Sequence, residues 1–233
     1  NIAGANEVML KLAEYTQIPV ITTIMGKGSI PTTHDLYLGN IGIHGSYAAN
    51  HAVSECDVLF SIGTRFNDRI TGKISEFAKH AKIIHIDADS ASISKNIVVD
   101  IPIVADAKLA IEKLLEYVSP SKAEKWLEQV TEWKKANPIN MDKYEGLTPE
   151  KVIRYINENI KHPIVATDVG QNQLWTTQYL ELESNHQFLT SGGLGTMGYG
   201  LGASIGAKMG CPEKTVVNIA GDGCFRMNMN EIA

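Results

Sequence analysis

The sequence predicts an α/β protein built on parallel sheet, and three observations carry that expectation. Short strands that are apolar throughout, rather than alternating, recur along the chain: PVITT at 19–23, DVLFSIG at 57–63, KIIHID at 82–87, IPIVAD at 101–106, PIVATDVG at 163–170 and KTVVNIAGDG at 214–223. Helix-patterned segments separate them. Several strands run directly into turns rich in glycine or aspartate. Strands buried on both faces need helices to cover them, which is the architecture of a parallel sheet.

The elements follow in order. Residues 3–17 repeat Val8, Leu12 and Tyr15 at helical spacing, with Met9 beside them. PVITT is the first strand, and a glycine-rich stretch covers 25–45. Residues 47–56 return to a helical pattern before the strand at 57–63 and the loop TRFNDRITG at 64–72. A short helix around 74–79, the strands at 82–87 and 101–106, and a helix at 107–117 complete a first domain, 1–118. Residues 119–147 are polar, carry Pro120 and Pro138, and read as a linker with one amphipathic helix presenting Trp126, Leu127, Val130 and Trp133. A second unit, 148–233, opens at Thr148-Pro149, where threonine suits the N-cap and proline the first helical position. The strand at 163–170, a helix at 171–180, the strand HQFLT at 186–190, a Gly/Ala-rich helix at 196–209 and the strand at 214–223 follow.

Composition narrows the function classes. The 233 residues are 44% hydrophobic and 20% charged, as in an ordinary globular protein, with a net charge of -5. An acidic chain has no basic face to neutralise phosphates, so nucleic acid is not an expected partner. No apolar run is long enough for a membrane helix, so no membrane role is expected. Neither a basic nor an apolar leader opens the sequence. Three scattered cysteines, Cys56, Cys211 and Cys224, do not make a disulfide framework, and a reducing cytoplasm is the expected setting.

Ten of the 20 glycines lie within 192–223. In IAGDGCF a buried strand meets Gly221-Asp222-Gly223, at the strand end where ligands of open α/β sheets bind. There the glycines permit close approach of a phosphate, and Asp222 offers a hard oxygen for Mg²⁺ or merely caps the turn. The run TSGGLGTMGYGLGASIGA is too glycine-dense for an ordinary helix, because each glycine costs about 1 kcal/mol relative to alanine. Its later glycines suit tight packing, and 192–198 suits a loop beneath a ligand. Met197 is either a wedge under a ring or a core residue. In TDVGQNQLW, Gly170, Gln171 and Asn172 stand at a helix start suited to an anion, and Asp168 reads equally as a cap. In the first domain, GNIGIHG encloses His44. Arg65, Asp68 and Arg69 follow a strand end, as phosphate or carboxylate ligands or as a solvated ion pair. Asp87 ends a strand where a carboxylate can meet a ribose hydroxyl. His44 alone reads as a hydrogen-bonded packing residue.

Taken together and in order, TTIMGKG, GNIGIHG, GTRFNDRITG, IIHIDAD, PIVADAK, TDVGQNQ, SGGLGTMGYGLGASIGA and GDGCF resemble the thiamine-diphosphate-dependent enzymes, over essentially the whole chain. RFNDRITG is similar to the flavin-containing, biosynthetic acetohydroxyacid synthase (acetolactate synthase) branch, whereas G-D-G alone indicates only the superfamily. The resemblance implies a Rossmann-like middle domain followed by the first half of a diphosphate-binding α/β domain. It implies thiamine diphosphate, Mg²⁺ and FAD as cofactors, with Asp222 on the metal and Gln171, Asn172, Gly223 and Cys224 beside the diphosphate. The carbonyl of Gly195 would accept the pyrimidine amino group, and Met197 would hold the cofactor bent. His44, Arg65, Asp87 and Asp106 would contact FAD, whose role would be structural. Arg69 would meet a substrate carboxylate.

The implied reaction decarboxylates pyruvate and joins the two-carbon unit to a second 2-ketoacid: pyruvate gives 2-acetolactate and 2-ketobutyrate gives 2-aceto-2-hydroxybutyrate, in branched-chain amino acid synthesis. The implied partners are small 2-ketoacids, a second copy of the full subunit and a regulatory small subunit. Asn172 stands where histidine is common in the family, and Asn67 where aspartate is common. The family's pyrimidine-activating glutamate and the asparagine that completes its thiamine motif have no counterpart in the sequence, so an internal fragment, inactive by itself, is expected. Two alternatives stand beside this reading: a sister carboligase or oxidase, such as glyoxylate carboligase or pyruvate oxidase, and a non-catalytic nucleotide-binding module.

Overall fold

In a computed structural model, residues 2–120, 123–184 and 187–233 are described. His186 of the HQFLT strand, and 121–122 of the expected linker, lie outside them. The chain divides into two compact units. One comprises Asn1–Thr23 with Asp35–Pro138, and the other Ile24–His34 with Ile139–Ala233.

In the first unit, α1 (Asn6–Thr16) leads to β1 (Val20–Thr22), which pairs in parallel with β2 (Tyr37–Asn40). β2 lies inside the stretch read from sequence as glycine-rich loop. Tyr37 and Leu38 are buried there, and YLGN is too short to show a period. Ser46 caps α2 (Tyr47–Glu55) by accepting from Ala49 N. β3 (Val58–Ile62) is followed by α3 (Asp68–Thr71), a single turn within the expected loop. β4 (Lys82–Asp87) and β5 (Ile101–Val104) complete a parallel sheet of order β3-β4-β5. Residues 74–79, expected as a short helix, form only a 3₁₀ turn at Ile74–Glu76. Asp106 caps α4 (Ala107–Leu114), accepting from Lys108 N and Leu109 N.

The segment expected as a linker carries α5 (Glu124–Ala136), which packs as part of the first unit. Its Val130 is buried with Leu38, Ala49 and Ala52, and Trp126 and Trp133 meet edge to face beside them. That is the apolar face read from the sequence. A second cluster gathers Val53, Phe66, Ala78, Ile83 and Ile97.

In the second unit, Thr148 caps α6 (Pro149–Asn159) by accepting from Lys151 N, as its Thr-Pro start predicts. β6 (Ile164–Thr167) is buried at every position. α7 (Gln171–Tyr179), β7 (Phe188–Thr190), α8 (Tyr199–Gly210), β8 (Val216–Ile219) and α9 (Asp222–Met227) follow. The sheet order is β7-β6-β8, all parallel, with β6 in the centre. The chain therefore leaves β6 to pair on one side with β7, then crosses over to pair on the other with β8. This creates a switch point at the carboxyl end of β6, where α/β sheets open a ligand crevice. Ile153, Val165, Tyr179, Leu180 and Leu182 form the core.

Residues 24–34, inside the expected first domain, pack instead in this unit. Thr32 N donates to Leu182 O at 2.9 Å, Leu182 N donates to Thr32 Oγ1 at 2.8 Å, and Ile30 is fully buried. Ile24 and Met25 close over Gly192, where a side chain would meet the Ile24 Cγ2 at 3.0 Å.

Candidate cofactor site

The site in the second unit forms where β6 and β8 end side by side. Asp168 N donates to Ile219 O at 3.0 Å, extending the pairing one residue beyond β6. Asn172, in the first turn of α7, ties the two ends. Its Nδ2 donates to Asp168 O and to Ile219 O, both at 2.9 Å. Both amide hydrogens are thus directed to backbone carbonyls. The amide thereby braces the strand ends, at the helix start where the diphosphate contact is implied. Gln171 is exposed beside it, after Gly170, whose φ of 127° lies in a region closed to most side chains.

Asp222 begins α9 immediately beyond β8 and is exposed. Among the described residues its carboxylate accepts no hydrogen bond, and no group of three His, Cys, Asp or Glu side chains could hold a metal ion. Asp222 would therefore be a single carboxylate ligand. Mg²⁺ sites commonly take one or two carboxylates and complete their shell with phosphate oxygens and water, so the donor set fits a metal bound together with a diphosphate. Gly221 and Gly223 keep that approach open. A Cβ on Gly223 would stand 3.8 Å from the Met197 Cε, so Met197 lies against the Gly221–Gly223 turn. Met197 is 45% exposed in this chain, with its side chain at the surface of the site.

The loop that carries Met197 is held from below. Gly195, with φ 80°, donates to Ser191 O at 2.7 Å, and Gly198, with φ 88°, precedes α8. Cys224 is buried and its Sγ donates to Val169 O at 3.1 Å, so the thiol faces the end of β6. Burial, and the Asp168 carboxylate beside it, push the Cys224 thiol above its ordinary pKa, which makes it a packing group rather than a nucleophile. The contact with diphosphate implied for Gly223 and Cys224 would fall to their backbone.

In the first unit, two loops join. Ile43 N donates to Arg69 O at 3.0 Å, and any side chain on Gly42 would collide with that carbonyl. Asn50 clasps Gly42 from the other side, accepting from its N and donating to its O, both at 2.9 Å. His44 and Arg69 are both exposed on this paired loop. Among the described residues no ion pair engages Asp68 or Arg69, so the guanidinium is not neutralised by its neighbour.

Arg65 and Asp106 follow the carboxyl ends of β3 and β5, and Asp87 is the last residue of β4 between them. Each carboxylate has one oxygen committed: Asp87 Oδ1 accepts from Asp89 N, and Asp106 Oδ1 caps α4. Asp87 Oδ2 lies 3.8 Å from the His85 Nε2, and the second oxygens of both carboxylates stand at the edge where ribose hydroxyls are met in nucleotide-binding sheets, so in this respect the edge fits FAD. His85, one position before Ile86 on β4, is fully buried against the Phe66 ring, and desolvation lowers its pKa.

Comparison with known proteins agrees with both halves of this description. The family "Thiamine pyrophosphate enzyme, central domain" matches residues 1–114, and "Thiamine pyrophosphate enzyme, C-terminal TPP binding domain" matches 168–233. The chain belongs to the thiamine pyrophosphate enzymes. Among its relatives, the "Probable acetolactate synthase large subunit" of Methanocaldococcus jannaschii is 48% identical over 243 residues, covering 100% of this chain and 41% of that protein. The acetolactate synthase large subunit of Corynebacterium glutamicum is 43% identical, covering 99% of this chain and 38% of that protein. Acetolactate synthase 1, chloroplastic, of Nicotiana tabacum is 42% identical, covering 98% and 36%. This thiamine pyrophosphate enzyme chain thus spans about two fifths of the length of the curated relatives it matches. None of its described helices is long and apolar enough to cross a membrane.

Of the residues singled out from the sequence, Asn172, Met197, Asp222, Gly223 and Cys224 converge around the ends of β6 and β8. Gln171 is at their margin. His44 and Arg69 share one paired loop, and Arg65, Asp87 and Asp106 share one sheet edge. The residue whose place was not legible is Asp168. The sequence left it a helix cap, yet its side chain reaches across the unit to the glycine loop.

Proposed function

We propose that the chain supplies the flavin-contacting and metal-diphosphate parts of an acetolactate synthase. The observation that carries this reading is the placement of Met197 against the Gly223 turn, beside the exposed Asp222 carboxylate. A wedge and a metal ligand thereby share one strand-end crevice. Thiamine diphosphate, when bound, would supply the carbanion centre that decarboxylates a 2-ketoacid and transfers its two-carbon unit to a second one.

The chain's own residues would do the rest. Asp222 would hold Mg²⁺ against the diphosphate, with the Gly223 and Cys224 backbone beside it. The Gly195 carbonyl would receive the pyrimidine amino group, and Met197 would support the ring from below. Arg69, with its charge unopposed by a described partner, would bind a 2-ketoacid carboxylate; its planar fork suits that group. Arg65, Asp87, Asp106 and His44 would hold FAD, which has no net redox work in this reaction. Small 2-ketoacids, a second copy of the subunit and a regulatory subunit are the partners this function implies. The three cysteines are unpaired, which suits a reducing compartment such as the cytoplasm.

The test is product analysis of the complete subunit with pyruvate, thiamine diphosphate, Mg²⁺ and FAD. Acetolactate formation that depends on thiamine diphosphate and Mg²⁺ is expected. Formation of tartronate semialdehyde from glyoxylate, with none of acetolactate from pyruvate, would overturn the reading. So would adenine-nucleotide binding with no binding of thiamine diphosphate.

A further inference from the structure

Asp168 is 1% exposed at the end of β6, and every oxygen of its carboxylate is committed. Oδ1 accepts from Val169 N and from Gly198 N, both at 2.9 Å, and Oδ2 accepts from Gly200 N at 2.9 Å. Two of these donors lie thirty and more residues away, on either side of Tyr199, at the mouth of the glycine loop. Gly198 is gripped on its other side as well: Asn228 Nδ2 donates to its carbonyl at 2.6 Å. The residue bonded to it on the N-terminal side is Met197. The peptide that joins them is therefore fixed by a buried carboxylate, and the Met197 side chain is delivered to the Gly223 turn.

We propose that Asp168 is a positioning residue, whose buried carboxylate holds the Gly198 and Gly200 amides and thereby sets the place of Met197 beneath the cofactor. The proposal rests on the thiamine diphosphate reading of Met197. The choice of side chain supports it. A buried carboxylate is expensive unless its oxygens find donors, and here three backbone N–H groups serve both of them. Asparagine has the same shape but only one acceptor oxygen, so one glycine N–H would face an NH₂ group. Burial alone would raise the Asp168 pKa, but the backbone bonds from Gly200, Val169 and Gly198 outweigh it and hold the carboxyl below the ordinary carboxylate value. Cys224 is the titratable neighbour that faces it.

Two measurements test the proposal. In this chain, the Gly198 and Gly200 amides should exchange slowly with solvent, and at least one of them should lose protection in Asp168→Asn while the amides of β6 keep theirs. In the complete subunit, Asp168→Asn should lower kcat by about 100-fold, the scale of a misplacement near 1 Å. The dissociation constant for thiamine diphosphate, set mainly by Asp222 and the metal, should change by less than about threefold. Met197→Ala should lower kcat alone and add little on top of Asp168→Asn, because the two act as one unit.

Asn228→Ala, at an exposed residue, loosens Gly198 from the other side without unburying a charge, and should give a smaller loss of the same kind. Unchanged amide protection in Asp168→Asn would overturn the proposal. Losses of kcat that add fully to those of Met197→Ala would also overturn it. If instead Met197→Ala leaves turnover intact while amide protection follows Asp168, the wedge reading of Met197 fails and the brace itself survives. The two failures are thereby distinguished.

Discussion

Gly200 and Asn218 stand so close that a Cβ on the glycine would lie 2.7 Å from the Asn218 Oδ1, with Asp168 N and Oδ2 both at 3.1 Å. Helix α8 thus crosses β8 at a distance only glycine permits, and the close approach brings the Gly200 amide to Asp168. Gly200→Ala should destabilise the protein by about 1–3 kcal/mol through overpacking, despite alanine's better helix propensity. A urea denaturation midpoint measures this. The double variant with Asn218→Ala should recover part of the loss, since it removes the nearest obstructing oxygen, which is itself buried and without a hydrogen-bond partner.

Asn172→Ala should cost about 1–3 kcal/mol, because the Asp168 and Ile219 carbonyls each lose a donor at the buried junction of β6 and β8. Thermal unfolding would show it. Asn172→His retains ring donors and is expected to cost less than alanine; a greater loss with histidine would mean that the junction accepts only the shape of an amide.

Asp222→Asn separates binding from folding. The side chain is exposed and unpartnered among the described residues, so unfolding should shift by no more than about 0.5 kcal/mol. Mg²⁺-dependent binding of thiamine diphosphate to the complete subunit should weaken by at least about tenfold, or 1.4 kcal/mol. Calorimetry with and without Mg²⁺ reads both conditions, and binding unchanged in the variant would remove Asp222 from the metal site.

Lys27 introduces a pH dependence of the same sign as that of a carboxylate held below its ordinary pKa, but in a higher window. It is buried in the second unit, and desolvation, partly offset by Glu181, brings its pKa down to about 7. Between that value and 10.5, the unfolded chain binds a proton that the folded one does not. Stability should therefore rise as pH increases through this window. Lys27→Met should flatten the rise and raise stability most at the neutral end. Denaturant midpoints of both proteins at pH 7 and 9 check it, and parallel slopes would refute it.

What could be read from the sequence was what is local. The apolar run VVNIAGDG announces a buried strand and its turn within ten residues, and Thr148-Pro149 announces a helix start by its own chemistry. Met197 was noticed because it is a large side chain among glycines. What could not be read was set by distance along the chain. Asp168 looks like a cap until residues 198 and 200 are brought beneath it, and nothing in TDVGQNQ encodes that meeting. Nor does the sequence show that the two amide hydrogens of Asn172 meet the carbonyls that close β6 against β8. The loyalty of residues 24–34 to the second unit rests on Thr32 meeting Leu182, a pairing 150 residues apart. Strand β2 was missed for another reason: four residues with a glycine inside are too few to display a period.

The central place of β6 has a consequence for synthesis. IVAT is buried at all four positions, yet both of its neighbours, β7 and β8, are made after it. As the chain leaves the ribosome, this apolar strand waits with one hydrogen-bonding edge bare until β7 is made and the other until Ile219 has emerged. During that interval it is a template for any extended segment nearby, its own or another chain's. The same topology that opens a ligand crevice at the strand's carboxyl end makes its birth the moment of greatest need for a chaperone.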